Sequence, residues 1–148
     1  MPVVRFVTEN ALIDTPPGRS AEAPAAVEAA DFALIPLWLE SDAFDGVAKS
    51  AGLARRLGAP AVAVLNFATP NSKSHEEAAR SVMEALAVPM SPVVLYRYEA
   101  YRLANPNGLT VPELEPESRA AAEIAALWDW VSAEVQISTS AIVHKGAA

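Results

Sequence analysis

The chain has no cysteine, which excludes disulfide bridges and thiolate metal sites. A cytoplasmic location is therefore the simplest expectation. No apolar run approaches the roughly 20 residues needed to cross a bilayer. Residues 1–10 also lack a basic start followed by a long apolar run. The sequence therefore predicts neither a membrane partner nor a secretory signal.

Basic residues are few: 11 lysines and arginines stand against 18 acidic residues, for a formal net charge of −7. Dedicated nucleic-acid binders carry a basic face, because phosphate contacts dominate their affinity. No basic run is present, so at most weak DNA binding by a local patch is expected. The two histidines, His75 and His144, are far apart and predict no metal site.

Hydrophobic residues make up 52% of the 148 positions, which is typical of one globular domain. The helical periodicity that supports this domain fades at Gln136. We therefore expect a single domain over residues 1–135 and a flexible tail over residues 136–148.

Short apolar runs alternate with amphipathic stretches along the chain. The runs are Ala11–Ile13, Phe32–Ile35, Ala61–Leu65 and Val93–Leu95. The third is apolar at every position, as a strand covered on both faces requires. Four helices are predicted between and after these runs. The first is an alanine-rich stretch from Ser20 to Asp31, and the second begins at a Ser41 cap and ends at Gly58. Ser74 and Glu77 have capping-box spacing at the start of the third, and Pro116 begins the last. This alternation predicts an α/β fold with a mostly parallel sheet and flanking helices.

The segment Leu12 to Gly18 reads Leu-Ile-Asp-Thr-Pro-Pro-Gly. Asp14 therefore lies at the carboxyl end of a predicted strand, and open α/β sheets bind ligands at that edge. A carboxylate there can hold Mg²⁺ through water or orient an attacking water. A strand-ending turn with Asp14 as a local cap accounts for the same residues equally well.

Two other positions suggest ligand contacts. Asn66 follows a buried strand, either as a local cap or as a hydrogen-bond partner for a base. Arg97 and Arg102 flank Tyr98 and Tyr101, and interleaved arginines and aromatic rings can contact phosphates and bases. A solvated turn with packed tyrosines is the alternative.

The segment from Leu12 to Gly18 resembles the Walker B and switch II region of the ParA/MinD-type, deviant Walker P-loop, partition ATPases. Further segments resemble the same family in the same order, and together they extend from Ala11 to Val131. They are residues 31–36, 41–56, 63–66, 96–101, 108–111, 115–118 and 121–128.

The resemblance implies a P-loop NTPase-like fold that binds ATP or ADP with Mg²⁺. It makes Asp14 the catalytic residue and the holder of Mg²⁺ through water. The nucleotide-binding residues that it implies are Asp14, Pro17, Gly18 and Asn66, the last of these at the adenine. It also implies nonspecific DNA contacts, for which Arg97 and Arg102 are the candidates. The family couples nucleotide-dependent dimerisation to plasmid or chromosome segregation.

The sequence departs from the family because it contains no Gly-Lys-Ser or Gly-Lys-Thr loop. The nearest match, Gly46 to Ser50, lies in a predicted helix. Only residues 1–10 precede the switch-II-like strand, so we expect a truncated or split form that does not hydrolyse ATP.

A sheet without its amino-terminal strand leaves an open edge. We therefore expect a homo-oligomer or a complementing amino-terminal half. Two alternatives remain. One is a non-catalytic interaction module that binds a full-length relative or a partition partner, and the other is a gene remnant without activity.

Overall fold

The computed structural model describes residues 11–16, 21–70 and 72–145, without the side chains of residues 41, 42 and 136–145. Its elements, in chain order, are α1 (Glu22–Ala29), β1 (Ala33–Leu37), α2 (Ser41–Leu57), β2 (Ala61–Leu65), α3 (Lys73–Ala85), α4 (Glu99–Ala104), a 3₁₀ turn (Asn105–Asn107), α5 (Val111–Leu114) and α6 (Arg119–Lys145). The predicted α/β class is confirmed in this coarse form. None of the described helices combines the length and the apolar character needed to cross a bilayer.

The sheet is small and parallel. β1 pairs with β2 from Ala33 opposite Ala61 to Leu37 opposite Leu65. The backbone N–H of Asn66 donates to the carbonyl of Leu37 at 2.7 Å and extends the pairing by one step. The connection between the strands runs through α2, as a parallel pair requires.

The predicted strand Val93–Leu95 is not a regular strand, although its segment lies beside β2. The N–H of Ala63 donates to the carbonyl of Pro89 at 2.8 Å, and the N–H of Leu95 donates to the carbonyl of Leu65 at 2.9 Å. Pro89 and Pro92 have no N–H to donate, so they interrupt the ladder. Residues 89–97 therefore follow β2 irregularly, with isolated parallel bridges at Met90 and Tyr96.

The predicted strand Ala11–Ile13 is wrong in this structure. Residues 11–16 have no regular secondary structure, and the side chains of Leu12 and Ile13 are 86% and 54% exposed. An apolar run of three residues forms a strand only where a neighbouring strand pairs with it, because isolated extended segments are unstable in water. No described segment pairs with this one.

The main core lies between the sheet and its helices. Leu37 and Leu65 are fully buried at its centre, and Val47 of α2 and Met83 of α3 pack around them. A second, smaller core joins α4, α5 and α6 and consists mostly of alanines. Its buried members are Ala100, Ala104, Val111, Ala120 and Ala121. Small side chains let these three helices approach closely.

The helix ends follow the predicted chemistry only in part. α2 ends at Gly58, which adopts the left-handed conformation with φ of 75° and donates its N–H to the carbonyls of Ala54 and Arg55. The structure shows no side-chain cap at the start of α3, so the Ser74 and Glu77 pair does not form a capping box there.

The last helix also differs from its prediction. α6 begins at Arg119 rather than at Pro116, which lies in the preceding turn. It continues to Lys145 and so includes residues 136–145, which the sequence analysis assigns to the tail. Residues 146–148 of the predicted tail lie outside the described part.

Candidate functional site

A cleft of about 460 Å³ lies at the carboxyl ends of β1 and β2. Its walls include Trp38, Glu40, Asn66, Phe67, His75 and Arg97. Trp38 directly follows β1, and Asn66 directly follows β2. The cleft therefore occupies the edge at which parallel α/β sheets bind ligands. We call it the edge cleft.

Asn66 is held in a fixed orientation in the edge cleft. Its side-chain Oδ1 accepts a hydrogen bond from the backbone N–H of Phe67 at 2.9 Å. Because Oδ1 must be the acceptor in this bond, the amide cannot be flipped. Its Nδ2 donates to no protein atom in the part of the chain that the structure describes, so it presents N–H donors to a ligand.

Phe67 has an unusual backbone conformation for a bulky residue, with φ of 57°. The left-handed region costs a non-glycine residue about 1–2 kcal/mol. Its ring is 56% exposed, and it stacks on Tyr101 with a centroid distance of 6.4 Å and an interplanar angle of 29°. A half-exposed aromatic residue therefore lies at the edge cleft despite this strain.

Arg97 brings a positive charge to the edge cleft. Its backbone N–H donates to the carbonyl of Ala68 at 2.8 Å, and its side chain is exposed. Because residues 89–97 lie beside β2, Arg97 reaches the same cleft as Asn66. The structure thus brings together two of the residues that the sequence indicated.

Arg102 lies elsewhere, on α4, with its Nε 2.7 Å from Oε1 of Glu99. Both side chains of this ion pair are exposed. The hydrogen bond from Arg102 lowers the pKa of Glu99, and the same bond raises the pKa of Arg102. Arg102 does not line the edge cleft, so the two predicted DNA-contacting arginines do not form one site there.

Asp14 is exposed and does not line the edge cleft. Pro17 and Gly18 lie outside the described residues. Within residues 11–16, 21–70 and 72–145, no group of three or more His, Asp or Glu side chains could hold a metal ion. Asp14, the single predicted Mg²⁺ ligand, is therefore not part of an assembled metal site within the described residues.

A second cleft, of about 380 Å³, was not predicted from the sequence. Its walls include Lys73, Glu76, Tyr96, Tyr98, Arg119 and Glu123. The hydroxyl of Tyr96 donates to Glu76, and this bond, with burial, raises the pKa of Tyr96 to about 12. Burial and a hydrogen bond to Glu123 raise the pKa of Tyr98. These tyrosines occupy both carboxylates, so the arrangement joins α3 and α6 to residues 96–98.

Sequence reasoning missed the aromatic part of the edge cleft. Trp38 lines the cleft and is 46% exposed, although no motif in the sequence marks it. Phe67 carries no signal in the sequence, because a left-handed phenylalanine depends on its surroundings. Its position next to Asn66 at a strand end was the one available clue.

No protein-family model matches the chain, and no curated protein is significantly similar to it. The chemistry of the edge cleft is therefore the main guide to function.

Proposed function

We propose that the chain is a ParA-like partition protein, in a truncated or split form, that binds ATP or ADP in the edge cleft without hydrolysing it. One observation carries this proposal. Asn66 and Arg97 come from separate segments, and both line one cleft at the carboxyl edge of a parallel sheet. Ligands of α/β sheets bind at this edge.

The side chains of the edge cleft match the chemistry of a nucleotide. The free Nδ2 of Asn66 can donate to a ring nitrogen of a purine. The planar guanidinium of Arg97 can donate in parallel to two phosphate oxygens. The volume of about 460 Å³ lies within the usual range of small-molecule sites.

Binding without turnover is the expected behaviour. Phosphoryl transfer depends on positioning and on neutralisation of phosphate charge, and the 148 residues contain no Gly-Lys-Ser or Gly-Lys-Thr loop. Asp14 remains the proposed contact to Mg²⁺. Because it is a single exposed carboxylate outside the edge cleft, nucleotide affinity should depend little on Mg²⁺.

The test is calorimetric titration of the full chain with ADP and ATP, with and without Mg²⁺. Asn66→Asp keeps an oxygen acceptor for the Phe67 N–H but removes the free donor, so it should preserve the turn and weaken binding. Arg97→Ala should weaken binding by about tenfold or more, which corresponds to 1.4 kcal/mol.

Three control variants show which residues contribute to nucleotide affinity. Arg102→Ala removes a charge of the same kind outside the cleft and should leave affinity unchanged. Asp14→Ala and Asn66→Ala test the roles that the resemblance implies. A well-folded chain that binds neither nucleotide would overturn the proposal.

Weak nonspecific DNA binding is part of the same proposal. Arg97 is exposed, whereas Arg102 is already paired with Glu99. Log affinity falls as log salt concentration rises, and removing one phosphate contact makes that slope shallower by about 1. We expect this change for Arg97→Ala and not for Arg102→Ala. Equal slopes for both variants and the wild type would exclude Arg97 as a DNA contact.

A second candidate function is a non-catalytic interaction module. No described segment pairs with the outer edge of β1. Leu34 in β1 is 37% exposed, and Trp38 directly after the strand is 46% exposed. An unpaired apolar edge can accept a strand from a second copy, from a complementing amino-terminal half, from a full-length relative or from a partition partner. Complex formation without nucleotide would favour this function. A single monomeric species over a wide concentration range would reject the homo-oligomer.

A further inference from the structure

We propose that Phe67 and Trp38 form an aromatic platform in the edge cleft, on which the planar ring of the nucleotide stacks. Asn66 then contacts the edge of the ring, and Arg97 contacts its anionic group. This inference rests on the proposed function, because it assumes that the edge cleft takes a nucleoside phosphate. It adds the residues that recognise the base.

The conformation of Phe67 is the first observation. Its backbone is left-handed, with φ of 57°, and its ring is 56% exposed. Neither feature stabilises the fold: the backbone is strained, and an apolar ring stays in contact with water. Such strained residues concentrate at ligand sites, where the surrounding structure holds them in place. Here the Oδ1 of Asn66 holds the Phe67 N–H at 2.9 Å.

The position of the Phe67 ring is the second observation. The ring stacks on Tyr101, and Tyr101 does not line the edge cleft while Phe67 does. The phenylalanine ring therefore contacts Tyr101 and belongs to a residue that lines the cleft. One side of it is supported by protein, and the rest is available to a ligand. A supported ring stacks on a base with little loss of side-chain entropy.

Trp38 is the third observation. Leu37 pairs with Leu65, so Trp38 lies beside Asn66 on the neighbouring strand. Trp38 lines the same cleft and is 46% exposed. Two exposed aromatic side chains thus border one Asn66 amide. Stacking on such rings tolerates different bases, since every base has a π-face.

The charged residues of the edge cleft favour one orientation of the bound nucleotide. The guanidinium of Arg97 can bind an anionic group, whereas the Glu40 carboxylate would repel one. Glu40 instead suits the hydroxyl groups of a ribose, as an acidic residue does in dinucleotide-binding folds. The base therefore stacks at Trp38 and Phe67, and the phosphates extend toward Arg97.

The first experiment uses Trp38 as its own probe. The chain has three tryptophans, and Trp128→Phe with Trp130→Phe leaves Trp38 as the only one. Titration with ADP should change the emission of Trp38 and saturate at the affinity found by calorimetry. Ribose 5-phosphate, which has no base, should leave the emission unchanged.

The second experiment removes the platform without removing the turn. Asparagine accepts the left-handed conformation more readily than phenylalanine does, which offsets the lost contact with Tyr101, so Phe67→Asn should leave the chain folded. It should weaken ADP binding at least about tenfold. Leu109→Asn is the matched control, because it removes an apolar side chain of 41% exposure that does not line the edge cleft.

The outcomes are distinguishable. If ADP binds the wild type and Phe67→Asn equally, with constant Trp38 emission, the platform is wrong and the proposed function stands. If ribose 5-phosphate binds as tightly as ADP, the cleft is an anion site and the platform is again wrong. If the wild type does not bind ADP at all, both the platform and the proposed function are overturned.

Discussion

The carboxylate of Glu123 in α6 accepts a hydrogen bond from the hydroxyl of Tyr98 at 2.7 Å. Its other oxygen accepts one from the backbone N–H of Tyr96 at 3.0 Å. Both bonds are partly buried, and both tyrosines belong to the segment beside β2. One side chain therefore attaches the last helix to the same segment that carries Arg97 into the edge cleft.

Glu123→Ala should lower the free energy of unfolding by at least about 2 kcal/mol, because it removes two hydrogen bonds to a charged group and each contributes about 1.5–3 kcal/mol net. Glu123→Gln should cost less, since a glutamine can still accept from Tyr96. Urea denaturation measures both changes. Glu77→Ala is the control, because Glu77 is exposed on α3. A loss for Glu77→Ala as large as that for Glu123→Ala would contradict the role of Glu123.

Alkaline pH should destabilise the fold through Tyr96. Its hydrogen bond to Glu76 and its burial raise its pKa from 10.0 to about 12 in the folded chain. A group whose pKa is raised on folding contributes stability below its unfolded pKa and loses it as pH rises through the folded value. The free energy of unfolding should therefore fall between about pH 10 and pH 12.

Tyr96→Phe is the variant that isolates this effect. It should reduce the slope of the free energy of unfolding against pH in that interval. Burial also raises the pKa of Tyr98 and of Tyr101. With three tyrosines in the chain, phenolate absorbance of the folded protein should show none ionising at its ordinary pKa. A tyrosine that ionises normally in the folded chain would contradict this.

The sequence predicts those elements whose signals are local. Ala61–Leu65 was predicted as a strand because every residue is apolar, and β2 has the same bounds. Gly58 ends α2 as predicted. The predicted run Phe32–Ile35 stops before Pro36, yet β1 covers Ala33–Leu37 and so includes that proline. A proline fits inside a strand where its missing N–H would face an open edge.

Elements that depend on distant partners could not be predicted in this way. Whether Ala11–Ile13 or Val93–Leu95 forms a strand depends on which backbone lies alongside, and the local pattern contains no such information. The same holds for the site. Asn66 could be predicted from its position after β2, whereas the left-handed Phe67 depends on Asn66 and on Tyr101. The role of Asp14 stays a prediction.

Ala87 and Gly58 both have a left-handed backbone, which only glycine adopts without strain. Ala87 has φ of 52° at the turn after α3 and is exposed. Ala87→Gly should raise the free energy of unfolding by up to about 1 kcal/mol, because glycine adopts this region without strain. Gly58→Ala should lower it by about 1 kcal/mol, although no heavy atom lies within 4 Å of the added Cβ. Thermal denaturation of both variants checks this. Shifts of the same sign would show that backbone strain is not the cause.

Pro36→Val should promote self-association through the outer edge of β1. The N–H of Ala33 donates to the carbonyl of Pro60, and the carbonyl of Leu37 accepts from the backbone N–H of Asn66, so both residues face β2. Hydrogen bonds along a parallel strand alternate in direction, so residues 34 and 36 face the outer edge. Pro36 has no N–H there, and prolines on edges oppose the addition of a strand.

A valine at position 36 supplies the missing donor and favours the extended conformation. Sedimentation velocity should then show a larger dimer fraction than the wild type at equal concentration. Adding Leu34→Lys should reverse the shift, because a charge on an edge disfavours pairing. If Pro36→Val sediments like the wild type at every concentration, the edge is not available to a second chain. The interaction-module function would then need a different surface.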